Sequence, residues 1–162
     1  MTKALCHIAL GANLGDRVEA LREAARRIAA LPGTSLVARS AIYETPPWGK
    51  TDQAAFANAV IAIRTGIEPE ALLEECLAIE AAMGRVRHER WGPRLIDIDL
   101  LTHGETSIKT DRLTLPHPAM AERAFVLVPL LEIAPEFRIG AEHARSILDQ
   151  IDQAGIVAID TL

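Results

Sequence analysis

Two hydrophobic periods alternate along this chain, and their order constrains its fold more than any other feature. Residues Ala4 to Leu10 form a short apolar run of strand length. Gly11-Ala12-Asn13-Leu14-Gly15-Asp16 then turns the chain, with Asp16 placed to cap a helix. Val18, Leu21, Ala25 and Ile28 recur at helical spacing until Pro32-Gly33 stops them. Leu36 to Tyr43 reads as a second strand, and Phe56 to Arg64, rich in β-formers, as a third. The tandem prolines of Thr45-Pro46-Pro47-Trp48-Gly49 open a loop between these two strands that runs to about Ala54, because they remove donors and fix the backbone. Pro69 suits the first turn of a second helix, which sets Leu72, Leu73, Cys76, Ile79 and Met83 on one face and ends at Gly84. Leu95 to Leu101 is a fourth strand. The order β-α-β-β-α-β predicts a ferredoxin-like α+β sandwich, an antiparallel sheet with helices packed on it. A small hairpin and helices over roughly Ala119 to Leu131 and Ala144 to Ala154 would follow. No repeat, low-complexity tract or linker intervenes, so residues 1–162 read as one domain.

That fold hosts many functions, so the site must be argued from its residues. Net charge is −5 and pI near 5.5, which argues against broad binding to nucleic acid or anionic membrane. Positive charge for any polyanion must be local. Cys6 and Cys76 lie far apart within apolar segments and read as buried thiols of a reducing compartment. The N-terminal residues lack the apolar core of a secretory signal, and no apolar run reaches membrane-spanning length. A cytoplasmic protein is expected.

The strongest local signal is Asp97-Ile98-Asp99. Strand residues two apart face the same way, so the carboxylates share one face and Ile96, Ile98 and Leu100 take the other. Their Cα atoms would stand about 6.5 Å apart. Two carboxylates so placed suit one or two Mg²⁺ ions whose shells a nucleotide's phosphates complete. A lone Asp-x-Asp is more often the wet side of a strand, but here the like charges sit side by side on a strongly apolar strand. Just before them, Arg85, Arg87, Arg90 and Arg94 surround Trp91 in a loop bounded by Gly and Pro. Arginine forks match phosphate oxygens, and Trp91 is placed to close over a ligand. On composition alone a solvated basic loop is as good a reading; adjacency to the aspartates favours a polyphosphate site. His117, between Pro116 and Pro118, is most simply a turn histidine, and Glu80 an exposed helical acid or ion-pair partner. Gly11 to Gly15 lacks the Gly-Lys-Ser/Thr ending of a phosphate loop and reads as a structural turn.

Taken together, these segments resemble the 6-hydroxymethyl-7,8-dihydropterin pyrophosphokinase family of folate biosynthesis. The resemblance runs over nearly the whole chain. It is carried by Leu10 to Asp16, Tyr43 to Gly49, Phe56 to Ala59, Glu80, Gly84-Arg85, Arg90 to Arg94, Asp97-Ile98-Asp99, Leu115-Pro116-His117 and Arg123-Ala124-Phe125. It implies transfer of diphosphate from ATP to the pterin hydroxymethyl group, with release of AMP and two Mg²⁺ ions as cofactors. By matched position, Asp97 and Asp99 would hold the metals, with Arg85 and Arg94 stabilising phosphate charge. Glu80, Arg87, Trp91, Ile98, Arg112, Thr114, His117 and Arg123 would contact ATP. Phe56 and Phe125 would sandwich the pterin, whose edge Asn58, Thr45, Pro46 and Trp48 would read, beside Asp97. The expected partners are these small molecules, with no nucleic acid or membrane, and the protein is expected to be a monomer. Phe56 and Pro118 stand where some relatives carry tyrosine, and His88 where some carry lysine.

Two other readings compete. Another Mg-dependent nucleotidyltransferase would use similar carboxylates and arginines but release pyrophosphate. An RNA-binding module on the same sheet would want stacked aromatics and a basic face, and this acidic chain has six Phe, Trp and Tyr residues in all.

Overall fold

The computed structural model describes residues 2–46, 55–84 and 95–162. Strand β1 (Ala4–Ala12) leads to helix α1 (Arg17–Ala29), which Asp16 caps by accepting the Glu19 N–H at 3.1 Å. Strands β2 (Thr34–Arg39), β3 (Ala41–Thr45) and β4 (Phe56–Thr65) precede helix α2 (Pro69–Ala82), which has its proline in the first turn. Strand β5 (Asp97–His103) is followed by a short hairpin of β6 (Ile108–Lys109) and β7 (Thr114–Leu115). Helix α3 (Ala124–Ile133), a second hairpin of β8 (Arg138–Ile139) and β9 (Glu142–His143), helix α4 (Ala144–Leu148) and strand β10 (Val157–Thr161) complete the chain.

The main sheet runs β10-β3-β4-β1-β5, with β2 beside β4, and every pairing is antiparallel. The β-α-β-β-α-β core is therefore ferredoxin-like. Period two along the strands sorts residues between its faces. Cys6, Ile8, Leu10 and Ala12 of β1, Ile61 and Ile63 of β4, and Ile98 and Leu100 of β5 meet α1 and α2 in one core cluster. Ala9, Val60 and Leu101 turn to the other face, where α3 and α4 cover part of it. Burial holds both cysteines as free thiols, pushing Cys6 up to about 11 and Cys76 to about 12.

Four expectations are corrected. The strand over Leu36 to Tyr43 is two, broken at Ser40, whose Oγ accepts the Val60 N–H at 2.9 Å; a side chain thus replaces a backbone acceptor in the ladder. Gly11 and Ala12 are not in the turn but extend β1, because each finds a rung on β4. The helix over Ala119 to Leu131 divides at Arg123, in extended backbone, into a 3-10 turn (Met120–Glu122) and α3. The helix over Ala144 to Ala154 stops at Leu148. Asp152 then accepts the Ala154 N–H at 2.8 Å, Gly155 takes φ of 81°, and the chain returns as β10.

Candidate active site

The site is floored by two rungs of the second sheet face. Asn58, Gly11 and Asp97 stand directly opposite one another across β4, β1 and β5, and Val60, Ala9 and Asp99 form the next row. Opposed residues share a face and neighbouring strands lie about 4.8 Å apart. The central strand thus offers only a glycine and an alanine, flanked by Asn58 and Val60 on β4 and by the two aspartates on β5. The result is a trough. A Cβ on Gly11 would stand 2.9 Å from Asn58 Oδ1, so the glycine is what lets that amide lie across the floor. Asn58 Nδ2 donates to Thr45 Oγ1 at 2.6 Å, which fixes which end of the amide points to β3. Phe56 shares the face of Asn58 and is paired with Thr45.

These residues line a cleft together with Pro46, Asp97, Asp99 and, from the start of α3, Arg123 and Phe125. The Arg123 guanidinium carbon is 5.8 Å from the Phe125 ring centroid, a cation–π approach. An aromatic wall, an amide with both donor and acceptor, and two half-buried carboxylates make a slot for a flat, polar heterocycle.

A second cleft lies across β5. It is lined by Leu73, Ile98, Asp99, Arg112, Leu113, Thr114, His117 and Pro118. Asp99 belongs to both clefts. The His117 N–H donates to Leu101 O at 2.9 Å, and its Nδ1 accepts the Ala119 N–H at 3.2 Å. In the neutral ring this leaves the proton on Nε2, a donor. Burial lowers the His117 pKa, and the Arg123 charge lowers it further against an opposing pull from Asp97, which favours the neutral ring. Arg112 forms an ion pair with Glu74 of α2 at the rim.

Glu80 corrects the reading of an exposed helical acid. It is 4% exposed, and its Oε2 accepts the Ile98 N–H at 2.7 Å. On the described side of β5 away from β1, the backbone between the two aspartates is thus anchored to α2.

Among the described residues no group of three or more His, Cys, Asp and Glu side chains is arranged to hold a metal. Two hard oxygen donors on one face suit Mg²⁺ better than a metal needing a full protein cage, since Mg²⁺ keeps waters and substrate oxygens in its shell. The residues present fit that ion.

The structure thus gathers Thr45, Pro46, Phe56, Asn58, Asp97, Asp99, Arg123 and Phe125 in one cleft, and Ile98, Asp99, Arg112, Thr114 and His117 in the other. Arg123, expected among the ATP contacts, lines the first. Trp48, Arg85, Arg87, Trp91 and Arg94 lie outside the described residues. Sequence reasoning missed the roles of Gly11 and Ala9. The unbroken alternation Cys6, Ile8, Leu10, Ala12 carried the signal, since it runs the strand past the glycine.

Comparison with known proteins bears on the same residues. The model of the 7,8-dihydro-6-hydroxymethylpterin-pyrophosphokinase (HPPK) family matches residues 7–135. A Methylorubrum extorquens 2-amino-4-hydroxy-6-hydroxymethyldihydropteridine pyrophosphokinase is 52% identical over 99% of this chain and 100% of its own length. A Bacillus subtilis enzyme of the same name is 41% identical over 94% of this chain and 88% of its own. Among solved structures, wild-type Plasmodium falciparum HPPK-DHPS with pteroate superposes at a TM-score of 0.72 with 16% identity. That alignment covers 91% of this chain and 42% of the Plasmodium chain, and bears on the fold alone.

Proposed function

We infer the chemistry from one premise: the chain belongs to the 7,8-dihydro-6-hydroxymethylpterin-pyrophosphokinase family. It transfers diphosphate from ATP to the hydroxymethyl group of 6-hydroxymethyl-7,8-dihydropterin and releases AMP, a step of folate biosynthesis. The observation that carries the residue assignment is the position of Asp97 and Asp99 on one sheet face, with Asp99 shared by two clefts.

The pterin occupies the cleft of Phe56, Asn58 and Phe125. The two rings take its faces, while the Asn58 amide and the Thr45–Pro46 backbone, with Trp48, read its edge. ATP occupies the cleft beyond β5, where Ile98 and Thr114 line its site, and His117 Nε2–H donates to a phosphate. Arg112 from the second cleft and Arg123 from the first contact the phosphates, Glu80 holds the strand between the two aspartates, and Arg87 and Trp91 join from the basic loop. Asp97 and Asp99 would hold two Mg²⁺ ions, which would supply charge neutralisation at the phosphates. Diphosphate transfer asks the protein chiefly for alignment and charge neutralisation. Arg85 and Arg94 supply the latter, and Asp97 also orients the pterin hydroxymethyl group. The whole chain acts as one catalytic domain, as a monomer in the cytoplasm. No helix among the described residues is long and apolar enough to cross a membrane.

The test is to incubate the protein with ATP, Mg²⁺ and 6-hydroxymethyl-7,8-dihydropterin and to separate the nucleotides. AMP is expected, and its formation should vanish in Asp97→Ala and Asp99→Ala proteins whose thermal midpoints stay close to wild type. Release of inorganic pyrophosphate in place of AMP would assign the chain to nucleotidyl transfer. Wild-type rates in either variant would remove the metal role.

A further inference from the structure

Strand β10 adds nothing to the core that its side chains reveal. All five of its residues are exposed. Yet it is held at both ends. At its C-terminal end Arg22 of α1 donates from Nε and Nη2 to Thr161 O, at 3.1 and 2.7 Å, and from Nη2 to Asp160 Oδ1 at 3.0 Å. Along its length it pairs with β3, Val157 opposite Glu44 and Ala158 opposite Tyr43. Just before its first residue, Gly155 packs against the ring of Pro46: a Cβ there would stand 3.0 Å from Pro46 Cγ and 3.4 Å from Cδ. Pro46 is a wall of the first cleft.

We propose that the C-terminal segment 155–161 is a positioning element of the pterin cleft, bracing Pro46 and the end of β3 from behind. Its contribution is geometric. Gly155 sets how far Pro46 can retreat, and the Arg22 clasp keeps the segment seated. The proposal rests on assigning the Thr45–Pro46 wall to the pterin.

The experiment uses two glycines of like backbone. Gly155 has φ of 81° and Gly140 has φ of 64°, but nothing lies within 4 Å of a Cβ built on Gly140. Alanine strains the backbone at both sites, and pushes on Pro46 only from position 155. KM for each substrate is measured with the other saturating, in full-length wild type, Gly155→Ala, Gly140→Ala and Arg22→Ala, alongside thermal midpoints. Gly155→Ala should raise the pterin KM roughly three- to tenfold and leave the ATP KM within about twofold. Gly140→Ala should lower the midpoint without moving either KM. A Gly155→Ala protein with wild-type pterin KM overturns the proposal, as does one whose two KM values rise together or one matched by Gly140→Ala. Should Gly155→Ala fail to fold, Arg22→Ala decides. A rise in pterin KM alone supports the brace, and unchanged or equally raised values overturn it. Wild-type protein that releases no AMP overturns the activity assignment and the brace with it, whereas active wild type with unmoved variants overturns the brace alone.

Discussion

Replacing Glu80 with alanine is the sharpest test of how the two aspartates are held. The Glu80 carboxylate is buried and takes the Ile98 N–H at 2.7 Å, midway between Asp97 and Asp99. Removing it strands a backbone donor and deletes a charge-assisted bond, a loss of about 1.5–3 kcal/mol. For a domain of this size each kcal/mol lowers the thermal midpoint by about 2–4 °C, so Glu80→Ala should fall by about 3–12 °C. β5 borders the second cleft, and its fixed course sets the spacing of the carboxylates. A misplacement near 1 Å at a catalytic group costs up to about 10²-fold in rate, so kcat should drop roughly ten- to a hundredfold. The Mg²⁺ concentration for half-maximal activity should rise in parallel. Glu80→Gln keeps an acceptor oxygen at the same reach and should recover most of both losses. Thermal unfolding and AMP release across a Mg²⁺ titration read the two effects separately. The reasoning is refuted if Glu80→Ala unfolds at the wild-type midpoint with the wild-type Mg²⁺ curve, or if Glu80→Gln is as impaired as Glu80→Ala.

Phe125→Ala removes a ring face from the first cleft and should weaken pterin binding more than ATP binding; equal losses in paired titrations would contradict the stacking role. Gly11→Ala puts a methyl 2.9 Å from Asn58 Oδ1 and should displace that amide from Thr45, raising the pterin KM about tenfold with little change for ATP. An unchanged pterin KM would show that the floor of the trough yields. Burial lowers the His7 pKa below its ordinary 6.5, with Nδ1 2.9 Å from Thr102 Oγ1 and the Phe137 ring edge-on at 5.3 Å. The unfolded chain therefore binds the His7 proton first. Stability should fall as pH drops below about 6.5 toward the folded-state pKa, and denaturant titrations should find this slope reduced in His7→Asn.

What could be read from the chain divides by the range of the cause. The order of the core elements and the shared face of Asp97 and Asp99 follow from spacings of two to four residues, which local periodicity records. Thr45, Phe56 and Asn58 were placed by resemblance, and the sheet then explains their meeting. Thr45 and Phe56 are opposed across β3 and β4, and Asn58 lies one period further on. Glu80 was misjudged because its partner, Ile98, is 18 residues away on another element. A buried carboxylate and an exposed one look alike until a donor is found for it. Gly11 was misjudged for a related reason: a glycine after an apolar run signals a turn unless its neighbours across the sheet are known. β10 is the extreme case, since its ladder partner lies more than 110 residues back in the chain, and five exposed, unremarkable residues carry no mark of it. The groups that do chemistry are thus easier to recognise than the groups that hold them still. Reactivity is a property of residue type and local spacing, whereas support depends on contacts that only the folded chain creates. That asymmetry places the most informative substitutions at Glu80, Gly11 and Gly155, where a changed rate reports on geometry while every reacting side chain stays in place.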